Sequence, residues 1–279
     1  MRRRRHLTAA LVVIAALVAV PVAYGATTTI SMSGATASFP LLELLAAKYH
    51  KLHGRVSFKI SQGGATVGIS DAAAGRVSIG NSSRAPQTGD PAGLYFYPVA
   101  KYFVCIVTNS SNKLSNLTAA QAQQIFTGKV RSWSQVPGAT ATGPIDVYSR
   151  TSVAGVLTTF QNTLLANSKV GTFATQEASE GLMQNAVKKD ASGIGFLSDY
   201  FALAPGLNPV GYAGTACSVA NVVSGTYPGV SDFYEVTKGP AKGQNQAFIY
   251  WIQSSAVAKK IIESNWIPLG KIAPVVKSS

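Results

Sequence analysis

The stretch from Ser33 to Pro86 constrains the fold most. Within it, strand-like segments hand over to helix-like ones through short turns of small and hydroxyl residues. Gly34-Ala35-Thr36-Ala37-Ser38 opens a helical run over about 40–51, and a strand follows at 56–60. Gln62-Gly63-Gly64-Ala65-Thr66 opens a second helix, and a third strand at 77–80 ends in Asn81-Ser82-Ser83-Arg84. Backbone N–H groups lie free at helix starts, and the helix dipole there favours negative charge. These turns are therefore expected to face one shared anion.

The same alternation continues along the chain and predicts an α/β architecture. Strands are expected at 94–100 and, separately, around Cys105. A helix over 119–126 has Thr118 as its cap and Gly128 as its stop. The strand at 145–148 runs into Ser149-Arg150-Thr151-Ser152-Val153-Ala154-Gly155-Val156, a third strand-turn-helix junction, and this one carries an arginine. A helix then follows with Leu157, Phe160 and Leu164. Another helix starts near Glu180, and a strand covers 192–197. Residues 204–228 read as loop. A strand at 233–237 and one amphipathic helix over 245–264 close the chain, with a frayed end at 277–279.

The N-terminus reads Met1-Arg2-Arg3-Arg4-Arg5-His6, then an apolar run to Val22, then Ala23-Tyr24-Gly25. This is the grammar of a secretory signal cleaved after about Gly25. The alternative is an uncleaved anchor, since the run approaches a bilayer-spanning length. No cysteine lies near the junction for lipidation. Cleavage would remove 25 of the 279 residues and four arginines, leaving 254 residues at a formal charge of +9 instead of +13. With 47% hydrophobic and 13% charged residues the chain is not disordered. The basic surplus favours an anionic partner. Its lysines are scattered instead of clustered with aromatics, which argues against nucleic acid.

Cys105 and Cys217 read either as one disulfide, which export would favour, or as two buried thiols. Neither they nor His50 and His53 show metal-site spacing, and no cofactor is expected. The histidines are expected at a solvent-facing or capping position. No G-x-S-x-G elbow occurs, and Asp71, Glu180 and Asp199, the acids nearest the turns, form no local pair for acid–base work. An enzyme is therefore not expected. Arg150 suits an oxyanion as a bidentate fork, or is an ordinary surface arginine. Ser83 and Arg84 read either as site residues or as a cap and a solvated charge. Thr36, Ser38 and Thr66 add hydroxyls at the first two junctions.

These segments together resemble the phosphate-binding proteins that deliver phosphate to ABC transporters. The resemblance runs from about Thr28 to Leu269. Gly34-Ala35-Thr36 with Pro40-Leu41, Gly68-Ile69, and Ile79 to Arg84 carry it. So do Leu117-Thr118 to Trp133, Gly193-Ile194-Gly195-Phe196, Gly225-Thr226-Tyr227-Pro228 and Trp266-Ile267-Pro268-Leu269. It implies a bilobal, periplasmic-binding-protein-like fold of type II, two α/β lobes joined by a two-strand hinge. Residues 26–102 and 233–279 would form one lobe and 103–232 the other, with crossings near 100–104 and 230–234. It implies inorganic phosphate or a similar oxyanion in the cleft, an ABC transporter permease as partner, and a monomer.

Carried over position by position, the resemblance implies Thr36, Arg150 and Gly155 as ligand-binding residues; with the residues of the junction turns, the expected site is Thr36, Ala37, Ser38, Thr66, Ser83, Arg150 and Gly155. The chain also departs from the family pattern. Ala65 stands where the family has a binding serine, and Ser83 where some members carry an acidic acceptor. Ala154 and Val156 replace a serine and a threonine, and Ser152 replaces an aspartate that buttresses the arginine. Each lost hydroxyl removes a hydrogen bond to a charged acceptor, on the order of 1.5–3 kcal/mol. A second reading follows from these losses: a cell-surface interaction module that keeps the fold with a decayed site.

Overall fold

The computed structural model describes residues 27–278. The signal segment expected at residues 1–25 lies outside them. Three parallel strands come first: β1 (Thr28–Gly34) lies between β2 (Val56–Gln62) and β3 (Ile79–Ser82). Helices α1 (Phe39–Leu52) and α2 (Ala65–Ala73) connect them. Parallel neighbours need such crossovers, so the turns opening both helices lie at one edge of the sheet. Helix α2 sits tight on the sheet because two glycines allow it. A Cβ on Gly80 would lie 2.1 Å from the Gly68 carbonyl oxygen, and one on Gly68 would lie 2.4 Å from that of Ser33.

The two strands expected at 94–100 and around Cys105 are one strand, β4 (Leu94–Asn109), sixteen residues long. Its first part pairs with β10 (Val230–Lys238), which also pairs antiparallel with β3. Its second part pairs with β8 (Gly193–Ser198) and β9 (Leu207–Tyr212), and the short β5 (Asn116–Leu117) pairs parallel with β9. The break expected after Ala100 does not occur, and Pro98, which has no N–H to give a ladder, lies within the first part. The pairing steps from Ala100 opposite Phe233 to Pro98 opposite Tyr234, leaving Val99 as a bulge, where proline is tolerated. Beyond β8 lie β6 (Asp146–Arg150) and β7 (Thr175–Glu177), again parallel. The strand order is therefore β2-β1-β3-β10-β4-β8-β6-β7, a mixed sheet shared through β4.

Helices α3 (Ala119–Phe126), α4 (Gly155–Thr163) and α5 (Glu180–Lys189) accompany the second group of strands, and α6 (Asp199–Ala202) follows β8 directly. Phe160 stacks on Phe196 with ring centroids 4.0 Å apart and meets Phe126 edge-on. Where β4 and β10 run side by side, Tyr102 stacks on Phe233 at 4.4 Å. Thr118 forms a capping box with Gln121, and Gly128 takes φ +86° just past the helix end, as expected.

Three expectations are corrected. Residues 204–228 contain β9 and α7 (Val219–Val223) as well as loop. The closing helix is two, α8 (Gly243–Ser254) and α9 (Ala256–Ile262), because the Ser255 side chain accepts from the Val257 N–H and starts a new helix. Phe248 and Ile252 enter the core, while Ala256 is exposed and Ala258 takes the buried place. Residues 276–278 are tied down: Val276–Lys277 forms β11 on β4, and the Ser278 hydroxyl donates to the Pro91 carbonyl at 2.7 Å, while residue 279 lies outside the described residues. His53 ends α1 as its C-cap, and His50 Nδ1 lies 2.7 Å from the Val56 carbonyl oxygen. Among the described residues no helix is long and apolar enough to cross a membrane.

Cys105 on β4 and Cys217 form a disulfide across a sequence separation of 112, so the buried-thiol alternative falls. Closing a loop of this size removes entropy from the unfolded chain. Replacing both cysteines by alanine is expected to lower the free energy of unfolding by about 4–5 kcal/mol, measured by urea denaturation.

Glu235 on β10 pairs with Asn81 on β3. Both are buried, and neither carboxyl oxygen of Glu235 nor Asn81 Oδ1 has a hydrogen-bond partner. Burial pushes the Glu235 carboxyl well above its usual range. The folded state then holds a proton that the unfolded state releases above about pH 4.3, so this group costs stability as pH rises towards its raised value. Glu235→Gln is expected to gain stability relative to the unsubstituted chain between pH 5 and 8 (about, from the same reference value), read from denaturation midpoints. A difference that does not change with pH would contradict the assignment.

Candidate functional site

Three helix starts meet at the junction between the two groups of strands. α1 follows β1, α2 follows β2, and α4 follows β6. Their amides are not used up by side chains: the caps of α1, α2 and α4 are Ser38, Gly64 and Ala154, and none makes a side-chain cap hydrogen bond. The short α6 and α8 are also uncapped. By contrast α3, α5, α7 and α9 are capped through Thr118, Ser179, Ser218 and Ser255. The hydroxyls at the first junction are thus not spent as caps; Ser38 Oγ donates to the Ala35 carbonyl at 3.2 Å.

The sequence-predicted residues come together in pairs across this junction. Arg150 Nη2 donates to Thr36 Oγ1 at 3.1 Å. The Thr66 N–H donates to the Val153 carbonyl at 3.0 Å, so the start of α2 meets the loop before α4. Gly155 lies against Ser83 and Ala65: a Cβ on it would be 2.5 Å from Ser83 Oγ and 3.0 Å from Ala65 Cβ. Ala37 and Ser38 are buried at the start of α1, and Thr36, Ser83, Ala154 and Val156 are buried as well. Thr66 is half-buried. The Ser83 carbonyl accepts from the Tyr102 hydroxyl at 2.5 Å, tying this loop to β4. Burial raises the Tyr102 phenol, keeping it a neutral donor.

Arg84 is neither a solvated charge nor a free fork. It is buried, and both Nη atoms bind Asp90, at 2.7 and 2.8 Å. Burial alone would raise the Asp90 carboxyl. Hydrogen bonds from Arg84 and the Gln87 amide, with the Arg84 charge, outweigh it and hold Asp90 below its usual value. Arg84 Nη2 also reaches Thr66 Oγ1 at 3.4 Å.

Arg150 is 2% exposed. Its Nη1 pairs with Glu180 Oε1 at 2.5 Å, its Nε donates to the Glu177 carbonyl at 3.0 Å, and its Nη2 also donates to the Ala178 carbonyl at 2.9 Å. Ser152, in the position the resemblance gives to a buttressing aspartate, is exposed and makes no bond to the guanidinium. It lines a cavity of about 430 Å³ beside Arg150, with Gln87, Lys169 and Gln176.

A deep junction of uncapped helix starts, hydroxyls and one buried arginine is a set of donors with few acceptors. It suits a small oxyanion. A family model described as a PBP superfamily domain matches residues 21–256. The chain belongs to the PBP superfamily. It is 25% identical over 249 residues to a phosphate-binding protein, PstS, of Bacillus subtilis, covering 86% of this chain and 81% of that one. A crystal structure of a putative phosphate ABC transporter substrate-binding protein with bound phosphate, from Clostridium perfringens, aligns with a TM-score of 0.82 at 25% identity. That alignment covers 87% of this chain and all of that one. An ABC-type phosphate transport receptor from Vibrio cholerae aligns with a TM-score of 0.71, also at 25% identity and with the same coverage. The type II fold of these neighbours agrees with the shared, curled α/β sheet described above.

In this PBP superfamily member sequence reasoning missed Glu180, Ser198 and Val153 as partners of the junction. Glu180 carried a signal: it follows Ser179 at a helix start, close to a small-residue turn. Val153 carried none, because it takes part through its backbone carbonyl.

Gly155→Ala is expected to lower the free energy of unfolding by about 1–3 kcal/mol, since the new methyl meets Ser83 backbone as well as its hydroxyl. Gly181→Ala, with nothing within 4 Å of the added Cβ in the first turn of α5, is the control. It is expected to be neutral or slightly stabilising, with both read from urea midpoints.

Proposed function

We propose that this protein is the exported solute-binding component of an ABC transporter for phosphate or a related oxyanion. Residues 26–102 and 233–279 act as one lobe and 103–232 as the other, with β4 and β10 as the hinge. The ligand is held at the uncapped starts of α1, α2 and α4, by the hydroxyls of Thr36, Ser38, Thr66 and Ser83, by Arg150 and by the Gly155 N–H. The Ala37 backbone completes the α1 turn. The carrying observation is that three uncapped helix starts and a buried arginine converge, in a chain similar along most of its length to proteins named for phosphate binding. Export rests on the arginine-rich, apolar N-terminal pattern. Binding and hand-over to a permease require no chemistry on the ligand.

A specific observation favours the second reading, an interaction module with a decayed site. The Thr66 N–H at the α2 start is already taken by Val153, and Ala65, Ala154 and Val156 offer no hydroxyl. Calorimetric titration of residues 26–279 with phosphate separates the two. Saturable one-to-one binding in the micromolar range, about −8 kcal/mol, is expected. Absence of heat and of a thermal shift at roughly 1 mM phosphate and above would leave the second reading standing.

A further inference from the structure

Resting on the phosphate-binding reading, we infer that Glu180 is a positioning residue of this site: it orients and charge-balances Arg150, and through Arg150 it orients the Thr36 hydroxyl. The resemblance gives that task to position 152, which here is an exposed serine without a bond to the guanidinium. Glu180 stands 30 residues beyond Arg150 in sequence, at the start of α5, and reaches it in space.

Glu180 is fully buried, and each of its carboxyl oxygens has a fixed partner. Oε1 accepts from Arg150 Nη1. Oε2 accepts from the Ser198 N–H at 2.8 Å and from Ser198 Oγ at 2.9 Å. Only a carboxylate accepts at both ends; a glutamine of the same shape would turn an NH₂ towards either Arg150 or Ser198. Arg150 has five N–H donors. One goes to Glu180, Nε–H goes to Glu177, and Nη2 serves Thr36 and Ala178. The remaining Nη1 hydrogen is aimed by the Glu180 bond, because the guanidinium is planar. Thr36 Oγ1 accepts from Arg150 Nη2 and, at 3.4 Å, from the Glu180 N–H. With both acceptor positions filled, its proton is left to donate to an anion. The Arg150–Glu180 pair is neutral as a unit. The ligand is therefore met by directed N–H and O–H groups and not by a net charge.

A double-mutant cycle on phosphate affinity tests this, using calorimetry on the chain with Arg150→Gln, Glu180→Gln and both. Glu180→Gln is expected to weaken phosphate binding by about 10- to 100-fold, the worth of one charge-assisted hydrogen bond. Arg150→Gln is expected to weaken it at least as much. The double substitution should bind within about threefold of Arg150→Gln alone, because Glu180 has nothing left to act through. Should Glu180→Gln not fold, Ser198→Ala keeps the carboxylate and removes one of its bonds. It is expected to cost about 2- to 5-fold in affinity, and nothing when Arg150 is already glutamine. Losses that multiply in either cycle, or wild-type affinity in Glu180→Gln, would overturn the inference while phosphate binding by the wild type stands. A wild type that binds no phosphate overturns the proposed function, and this inference with it.

Discussion

A buried helix start needs acceptors for its amides, and this molecule brings three uncapped starts to one place. Much of the architecture serves that requirement. Parallel strands put α1 and α2 at the same sheet edge, and Gly68 and Gly80 let α2 lie close enough for its first turn to reach the junction. Strand β4 runs unbroken through both groups of strands and carries Tyr102, whose hydroxyl holds the Ser83 loop. The missing side chain of Gly155 allows α4 to close against that loop.

The second constraint is charge. A buried guanidinium without a counterion costs several kcal/mol, roughly 3–5 when a partner is removed. Here the two buried arginines are matched separately, Arg84 by Asp90 and Arg150 by Glu180. Neither pair relies on a ligand for its neutrality. The junction can therefore exist closed, with Val153 standing at the α2 start, and an anion would compete for donors that protein acceptors partly satisfy. That competition, together with Ala65, Ala154 and Val156, which offer no hydroxyl, separates a binding site from a merely closed fold.

The fold was legible where local chemistry announces itself. Turns of glycine and hydroxyl residues marked the helix starts of α1, α2 and α4, and Thr118 and Gly128 marked both ends of α3. It was less legible where tertiary pairing overrode a local break. Lys101 parted two apolar runs on paper, yet β4 continues through it. Ser255 sits in an unbroken amphipathic pattern, yet caps a new helix. β9 and α7 are short and lie among turn residues, so they gave no period to read. In the site, Thr36, Arg150 and Ser83 could be nominated from their places where strands hand over to helices, and Gly155 from the resemblance. The pairing of Arg150 with Glu180 could not, because the residues between them form a helix, a strand and their loops, and only the register of β6 with β7 and β8 brings the two together.

The central claim is that the helix starts and Arg150 form an oxyanion cradle. A crystal structure of residues 26–279 grown with phosphate tests it most directly. The account predicts phosphate at the junction, within hydrogen-bond distance of Thr36 Oγ1, Arg150 Nη1 and the amides that open α1 and α4, with Glu180 still on Arg150. Phosphate absent from the junction, with the Thr66 N–H still on the Val153 carbonyl, would contradict it.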